Sequence, residues 1–222
     1  MLLAIKNVLS ENQLKVIQTL LKNAEFVDGK LSAGKEAQQV KNNLELSQKS
    51  PLHDQLNQML MPSLLNHPEY QAFAFPLKVA TPFYARYTQG MTYGFHVDDP
   101  VMGPMNGRYR SDISTSIFLN DDYEGGDLTI KTTFGEQRIK LKAGDAVIYP
   151  STSLHQVEEV TKGERLVAVI WAQSMVKDPQ KRELLYELGQ ARNILIEERS
   201  KSEETAHVSN VYSNLVRRWS EL

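Results

Sequence analysis

The sequence predicts an α+β protein, a double-stranded β-helix (jelly roll) framed by helices at both ends. Three observations carry that prediction. From Phe83 to Ala172 apolar residues recur with a period of two in short runs. Glycine-containing turns, Gly125-Gly126, Phe134-Gly135, Ala143-Gly144 and Lys162-Gly163, separate the runs. On either side of this stretch the period changes to that of helices. Eight strands in about 90 residues suit two sheets packed face to face.

The chain has 222 residues, enough to bury roughly 70% of its unfolded surface in a single domain. We divide it into an N-terminal helical part (1–80), the jelly-roll core (81–175) and a C-terminal helical appendage (176–222). In the first part, Ser10 and Gln13 form a capping-box pattern ahead of Leu14, Ile17, Leu20, Leu21 and Ala24, so a helix runs to about residue 24. Gly34 to Leu46 reads as a short helix. Ser50-Pro51 starts another, leading into Leu52, Leu56, Met59 and Leu60.

The predicted strands are Phe83–Thr88, Thr92–Val97, Ile113–Leu119, Asp127–Lys131, Gln137–Leu141, Ala146–Tyr149, Leu154–Val160 and Arg165–Ala172. Beyond them, Asp178-Pro179 is a helix cap followed by a first-position proline, and an apolar stripe from Leu184 to Leu195 follows. A polar break, Arg199 to Glu204, precedes a last helix carrying Val208, Val211, Tyr212, Leu215, Val216 and Trp219. These stripes read as packing, with a homodimer seam as the second reading.

Composition excludes several classes. The net charge of −2 offers no basic excess for nucleic acid or an anionic membrane surface. The absence of cysteine removes disulfides, thiolate ligands and Cys nucleophiles, leaving His and carboxylate as the strong side-chain ligands. Iron, manganese and zinc all remain open. No apolar run is long enough to span a bilayer, and we expect a cytoplasmic protein.

His96-Val97-Asp98 is the most telling local pattern. Residues i and i+2 of a strand share a face, so both side chains point the same way. The spacing alone is weak, with about half a match expected by chance. His155, in GDAVIYPSTSLHQV, and Arg165, ten residues further on, supply the specificity. Two imidazoles and a carboxylate can hold Fe(II) on one face and leave three positions for substrates. Arg165 opens a strand beside the metal strand; its plainer alternative is a hairpin ion pair with Glu158 or Glu159. Trp171, six residues on, shares its face and reads as core or as a pocket wall.

The run Tyr87, Gly90, Met91, Tyr93, Gly94, His96 and Asp98, then Phe118-Leu119-Asn120, Tyr123 to Leu128, and Gly144 to Ser151 with His155 and Arg165, resembles Fe(II)/2-oxoglutarate dioxygenases of the prolyl-4-hydroxylase-like class. With the helical start, Gln39 to Asn43 and the C-terminal helices included, the whole chain is similar to bacterial PKHD-type hydroxylases. The resemblance implies that His96, Asp98 and His155 hold iron and form the catalytic centre. It implies that Arg165 binds the distal carboxylate of 2-oxoglutarate and that Tyr87 adds a hydroxyl contact. It further implies O2 as co-reactant, L-ascorbate as auxiliary reductant, and hydroxylation of a small-molecule or peptidyl substrate. The alternative is a cupin-like metal protein acting as isomerase or ligand sensor. The Gly/Pro-rich stretch Asp99 to Arg110 is expected to be a lid, with Met102, Met105 and Tyr109 as apolar contacts and Arg108 or Arg110 as an anionic one.

Overall fold

The computed structural model describes all 222 residues. The N-terminal part runs β1 (Leu3–Ile5), α1 (Glu11–Lys22), β2 (Phe26–Asp28), α2 (Ala37–Val40), β3 (Lys41–Asn42), β4 (Leu44–Leu46), α3 (Leu52–Leu65), α4 (Pro68–Ala74) and β5 (Pro76–Val79). The capping box at Ser10 and Gln13 starts α1 as expected, and Leu14, Ile17 and Leu21 form its buried stripe. The first 80 residues are nevertheless not simply helical, because five short strands join the core sheets there.

The helix expected over Gly34–Leu46 is the main correction. Only Ala37–Val40 is helical; β3 and β4 are strands. Lys41 pairs with Tyr93, while Leu44 and Glu45 pair with Arg86 and Ala85. Pairing with distant strands overrides a weak local preference for helix.

The core comprises β6 (Phe83–Thr88), β7 (Thr92–His96), β8 (Val101–Met102), β9 (Tyr109–Arg110), β10 (Ile113–Phe118), β11 (Glu124–Gly125), β12 (Leu128–Thr132), β13 (Gly135–Ile139), β14 (Ala146–Pro150), β15 (His155–Val157), β16 (Val160–Lys162) and β17 (Glu164–Ser174). The long sheet has the order β1-β14-β10-β17-β6-β4-β2, with β5 also on β17. The short sheet has the order β13-β12-β15-β7-β3. The strand expected over Leu154–Val160 is split at Glu158-Glu159, where Glu158 donates to the Asp127 carbonyl and Glu159 accepts from Gly126. β16 then pairs with β11 instead.

Alternation along the long sheet creates two unlike faces. Ile113, Ile117, Leu166, Ala168 and Ile170 belong to the largest apolar cluster, together with Ile17 and Leu21 of α1 and Leu56, Leu60 and Leu64 of α3. The opposite face, with Tyr87, Ser116 and Arg165, lines a cavity that the short sheet also walls.

Asp178 caps α5 (Pro179–Arg199) by accepting from Gln180 and Lys181, and α6 (Glu203–Trp219) returns along it. Leu185 joins Phe75 and Val176 in a satellite cluster covered by Tyr212, Leu215 and Trp219. Leu184, Ile194 and Val211 face outward. No helix is long and apolar enough to cross a membrane.

Candidate metal centre

β7 delivers His96, and β15 places His155 directly opposite it in the ladder, which closes the long gap in sequence. Asp98 lies just past the end of β7, where the chain leaves the sheet. The ligand atoms of the three residues lie within 4.8 Å of one another, with Asp98 Oδ1 at 3.9 Å from Nε2 of each histidine. His53, His67 and His207 lie elsewhere, in or beside helices.

Each imidazole is held by its other nitrogen. Nδ1 of His96 meets the Gly94 carbonyl at 2.8 Å and Nδ1 of His155 the Ser153 carbonyl at 2.9 Å. A carbonyl accepts only, so Nδ1 carries a proton in each ring, and both Nε2 atoms face Asp98. The Ser114 hydroxyl donates to Asp98 Oδ2 at 2.5 Å and meets the Ser151 hydroxyl at 2.7 Å, leaving Oδ1 for the centre. Tyr93 stacks on His96 with centroids 3.6 Å apart. Burial lowers the His96 pKa to about 4, helped by the neighbouring His155. His96 is therefore neutral near pH 7 and free to donate its lone pair.

Arg165 extends from β17 into the same cavity, 1% exposed. Its guanidinium lies 5.1 Å from the Tyr87 ring centroid and 5.5 Å from that of Phe118, and neither Nε nor Nη1 has a hydrogen-bond partner. The ion pair with Glu158 or Glu159 does not form: Glu158 pairs with Arg138 and accepts from Thr129. Gly126 makes room for the arginine. At its φ of +65°, a Cβ would meet Val160 Cγ2 at 2.9 Å and Arg165 Cδ at 3.2 Å. Gly126, read from sequence as part of a turn, thus also packs against the Arg165 side chain. Burial raises the Tyr87 pKa far above its ordinary value, against the opposing effect of the Arg165 charge, so the phenol keeps its proton as a hydrogen-bond donor.

The cavity measures about 700 Å³ and reaches from Arg165 past the triad to Phe83, Trp171, Met102 and Tyr109. That size suits a cosubstrate together with part of a second molecule. The stretch Asp99 to Arg110 is a small hairpin, β8 pairing with β9. Met102 and Tyr109 face the cavity, whereas Met105 is 87% exposed and points away. Arg110 is not offered to a ligand, because it is committed to a two-point pair with Asp112 at 2.6 and 3.0 Å.

Sequence reasoning missed the supporting residues. Ser114 carried no signal because it reaches Asp98 only through the folded sheet, and Ser151, which ends one of the runs that carried the resemblance, meets Ser114 rather than Asp98. Lys41, Asn43 and Glu45 also line the cavity, with Lys41 and Glu45 paired at 2.5 Å. Their alternation was the available signal, hidden by the helical reading of that segment.

Residues 82–173 match the 2OG-Fe(II) oxygenase superfamily and residues 179–221 the PKHD-type hydroxylase C-terminal domain. A PKHD-type hydroxylase of Thioalkalivibrio sulfidiphilus is 49% identical and one of Aliarcobacter butzleri 42% identical, each alignment covering 100% of both chains. Among solved structures, a Pseudomonas putida prolyl-4-hydroxylase superposes with a TM-score of 0.57 at 17% identity, covering 78% of this chain and 92% of that one. HygX from Streptomyces hygroscopicus, solved with nickel, 2-oxoglutarate and hygromycin B, gives 0.56 at 13% identity, covering 79% and 84%. These two likenesses show the jelly-roll fold. The superfamily uses Fe(II), 2-oxoglutarate and O2, and the donor set of two imidazoles and a carboxylate fits that iron. With full-length relatives at 41% to 49% identity, the chain belongs to the PKHD-type hydroxylases, a family of 2OG-Fe(II) oxygenases.

Proposed function

We propose that the protein hydroxylates an unactivated C–H bond of a small-molecule or peptidyl substrate in the cytoplasm, where Fe(II) stays reduced. One molecule each of 2-oxoglutarate, O2 and R–H gives succinate, CO2 and R–OH. In this reading His96, Asp98 and His155 hold the iron, and Arg165 with Tyr87 holds the distal carboxylate of 2-oxoglutarate. Bound iron supplies the redox chemistry that activates O2; the protein binds, orients and excludes water.

The observation that carries the reading is the buried guanidinium of Arg165, whose Nε and Nη1 have no hydrogen-bond partner. A buried charge without a partner is costly, and a planar carboxylate can satisfy it with two parallel charge-assisted hydrogen bonds. A metal-binding isomerase or sensor has no use for such an anchor. The carbonyls of Gly94 and Ser153 hold the imidazole tautomers, and Ser114 holds Asp98. A carboxylate at position 98 occupies the place that halogenation would leave to halide, so hydroxylation is the favoured outcome. L-ascorbate serves as auxiliary reductant after uncoupled turnover. The aromatic and apolar mouth formed by Phe83, Trp171, Met102 and Tyr109 faces the substrate, with the β8–β9 hairpin as its cover.

The test is incubation of the enzyme with Fe(II), 2-oxoglutarate and a cell extract, followed by mass spectrometry. The expected result is a compound heavier by one oxygen atom, formed with succinate in equal amount. Absence of succinate above a His155→Ala control would refute the reading.

A further inference from the structure

The segment that crosses from the short sheet to the long one contributes an unexpected side chain to the site. Leu44 and Glu45 pair with Arg86 and Ala85, so the next position, Asn43, falls opposite Tyr87. Tyr87 in turn pairs with Arg165. Asn43 lies between β3 and β4, one position beyond the β4–β6 ladder on the side of Tyr87 and Arg165, and all three line the cavity. Asn43 is 3% exposed, and neither polar atom of its amide has a hydrogen-bond partner.

Leaving both ends of a buried amide unpaired is unfavourable and calls for an explanation. Its placement is specific. A Cβ on Gly29 would come within 2.0 Å of Asn43 Oδ1, so only glycine there leaves room for the amide, and the NH2 group is turned to the other side. Asn43 is near enough to the Tyr87 phenol to favour its ionised form.

We propose that Asn43 is a positioning residue for the carboxylate anchor: when 2-oxoglutarate is bound, its unpaired Nδ2 donates to the Tyr87 oxygen, so that the phenol directs its own proton to the distal carboxylate of the ligand. A phenol has one proton and two lone pairs. A hydrogen bond received from Asn43 occupies a lone pair and leaves the O–H for the ligand, beside the guanidinium of Arg165. The inference rests on the reading of Arg165 and Tyr87 given above.

The experiment measures 2-oxoglutarate affinity by anaerobic titration of the full-length Fe(II) protein, with Fe(II) affinity measured separately. Asn43→Ala should weaken 2-oxoglutarate about tenfold, the loss of one hydrogen bond to a site that binds a charged group. Asn43→Asp should weaken it about 100-fold, because a carboxylate turns the phenol proton toward itself and places a negative charge near the ligand's own. Fe(II) affinity should stay within about twofold in both, since Asn43 does not touch the triad. In a Tyr87→Phe background, Asn43→Ala should add no more than about twofold, as expected for residues acting through one contact. Multiplicative losses would overturn the role through Tyr87. Normal 2-oxoglutarate binding in both Asn43 variants, with binding lost in Arg165→Leu, would remove Asn43 from the anchor while leaving Arg165 in it. Normal binding in Arg165→Leu as well would overturn both readings. If Asn43→Ala does not fold, the near-isosteric Asn43→Asp decides.

Discussion

The two faces of the long sheet are made by the same strands and serve opposite ends. On β17, Leu166, Ala168 and Ile170 meet Ile17, Leu21, Leu56 and Leu60 in a continuous apolar cluster. One residue out of phase, Arg165 turns the other way, into a cavity that also takes Tyr87, Ser116 and Asn43. The outer face buries carbon against carbon, which stabilises by about 25 cal/mol for each Å² removed from water. The inner face buries two guanidinium nitrogens of Arg165 and both amide atoms of Asn43 without hydrogen-bond partners, an arrangement that costs stability until a ligand supplies them. The difference teaches that stability and chemistry are separable here residue by residue, because strand alternation puts them one position apart.

The largest effect expected is at the triad. Asp98→Ala should abolish turnover, exceeding the roughly 100-fold loss typical of a mere supporting contact around a metal, while circular dichroism stays native. Retention of full succinate production would take Asp98 out of the centre. The sharpest comparison pairs Ile170→Ala with Arg165→Leu, five residues apart on one strand. Ile170 is fully buried, and its truncation should cost about 2–5 kcal/mol in urea unfolding with unchanged 2-oxoglutarate affinity. Arg165→Leu should do the reverse, weakening 2-oxoglutarate about 100-fold while leaving stability unchanged or higher. If either variant lowers both stability and 2-oxoglutarate affinity, the two faces are not separable.

The pH dependence of the metal-free protein tests the inner face in another way. His96 is lowered to about 4 in the folded chain, against about 6.5 unfolded. Between those values the unfolded state binds more protons, so stability rises with pH across the window. This contribution is complete above about pH 6.5 and is lost as pH falls toward 4. His96→Gln should flatten that part of the profile, whereas Ile170→Ala should lower the whole curve without changing its slope there.

The smallest effect belongs to the rim. Trypsin should cut the hairpin after the exposed Arg108 rather than after Arg110, which Asp112 holds. Fe(II), 2-oxoglutarate and substrate together should slow the cut several-fold if Met102 and Tyr109 close over a ligand. Equal cutting in all ligand states would leave the hairpin a passive rim.

Local pattern made much of this legible. Ser10 with Gln13, and Asp178 with Pro179, mark helix starts through contacts only three residues long, and both caps form. The long-sheet strands β10, β14 and β17 showed their period of two because each has one face on the apolar cluster. The segment from Gly34 to Leu46 showed it only over Asn43 to Leu46, since Lys41, Asn43 and Glu45 are polar residues pointing inward. So short an alternation is easily read as helix, and its partners lie some 40 to 50 residues away. Ser114 was equally silent; a serine in an apolar strand looks like any other until Asp98 is brought against it.

By itself, then, the sequence determined the elements whose causes are local, and it contained the candidate ligand set: His96, Asp98 and His155 with an arginine ten residues beyond the last. Only the tertiary structure decided which residues support that set. β15 had to pair with β7 before His155 could face His96, and the chain had to cross between sheets at Asn43 before an amide could stand beside Tyr87 and Arg165. The reason is that hydrogen-bond partners are chosen by distance in space, and a jelly roll brings together strands far apart along the chain.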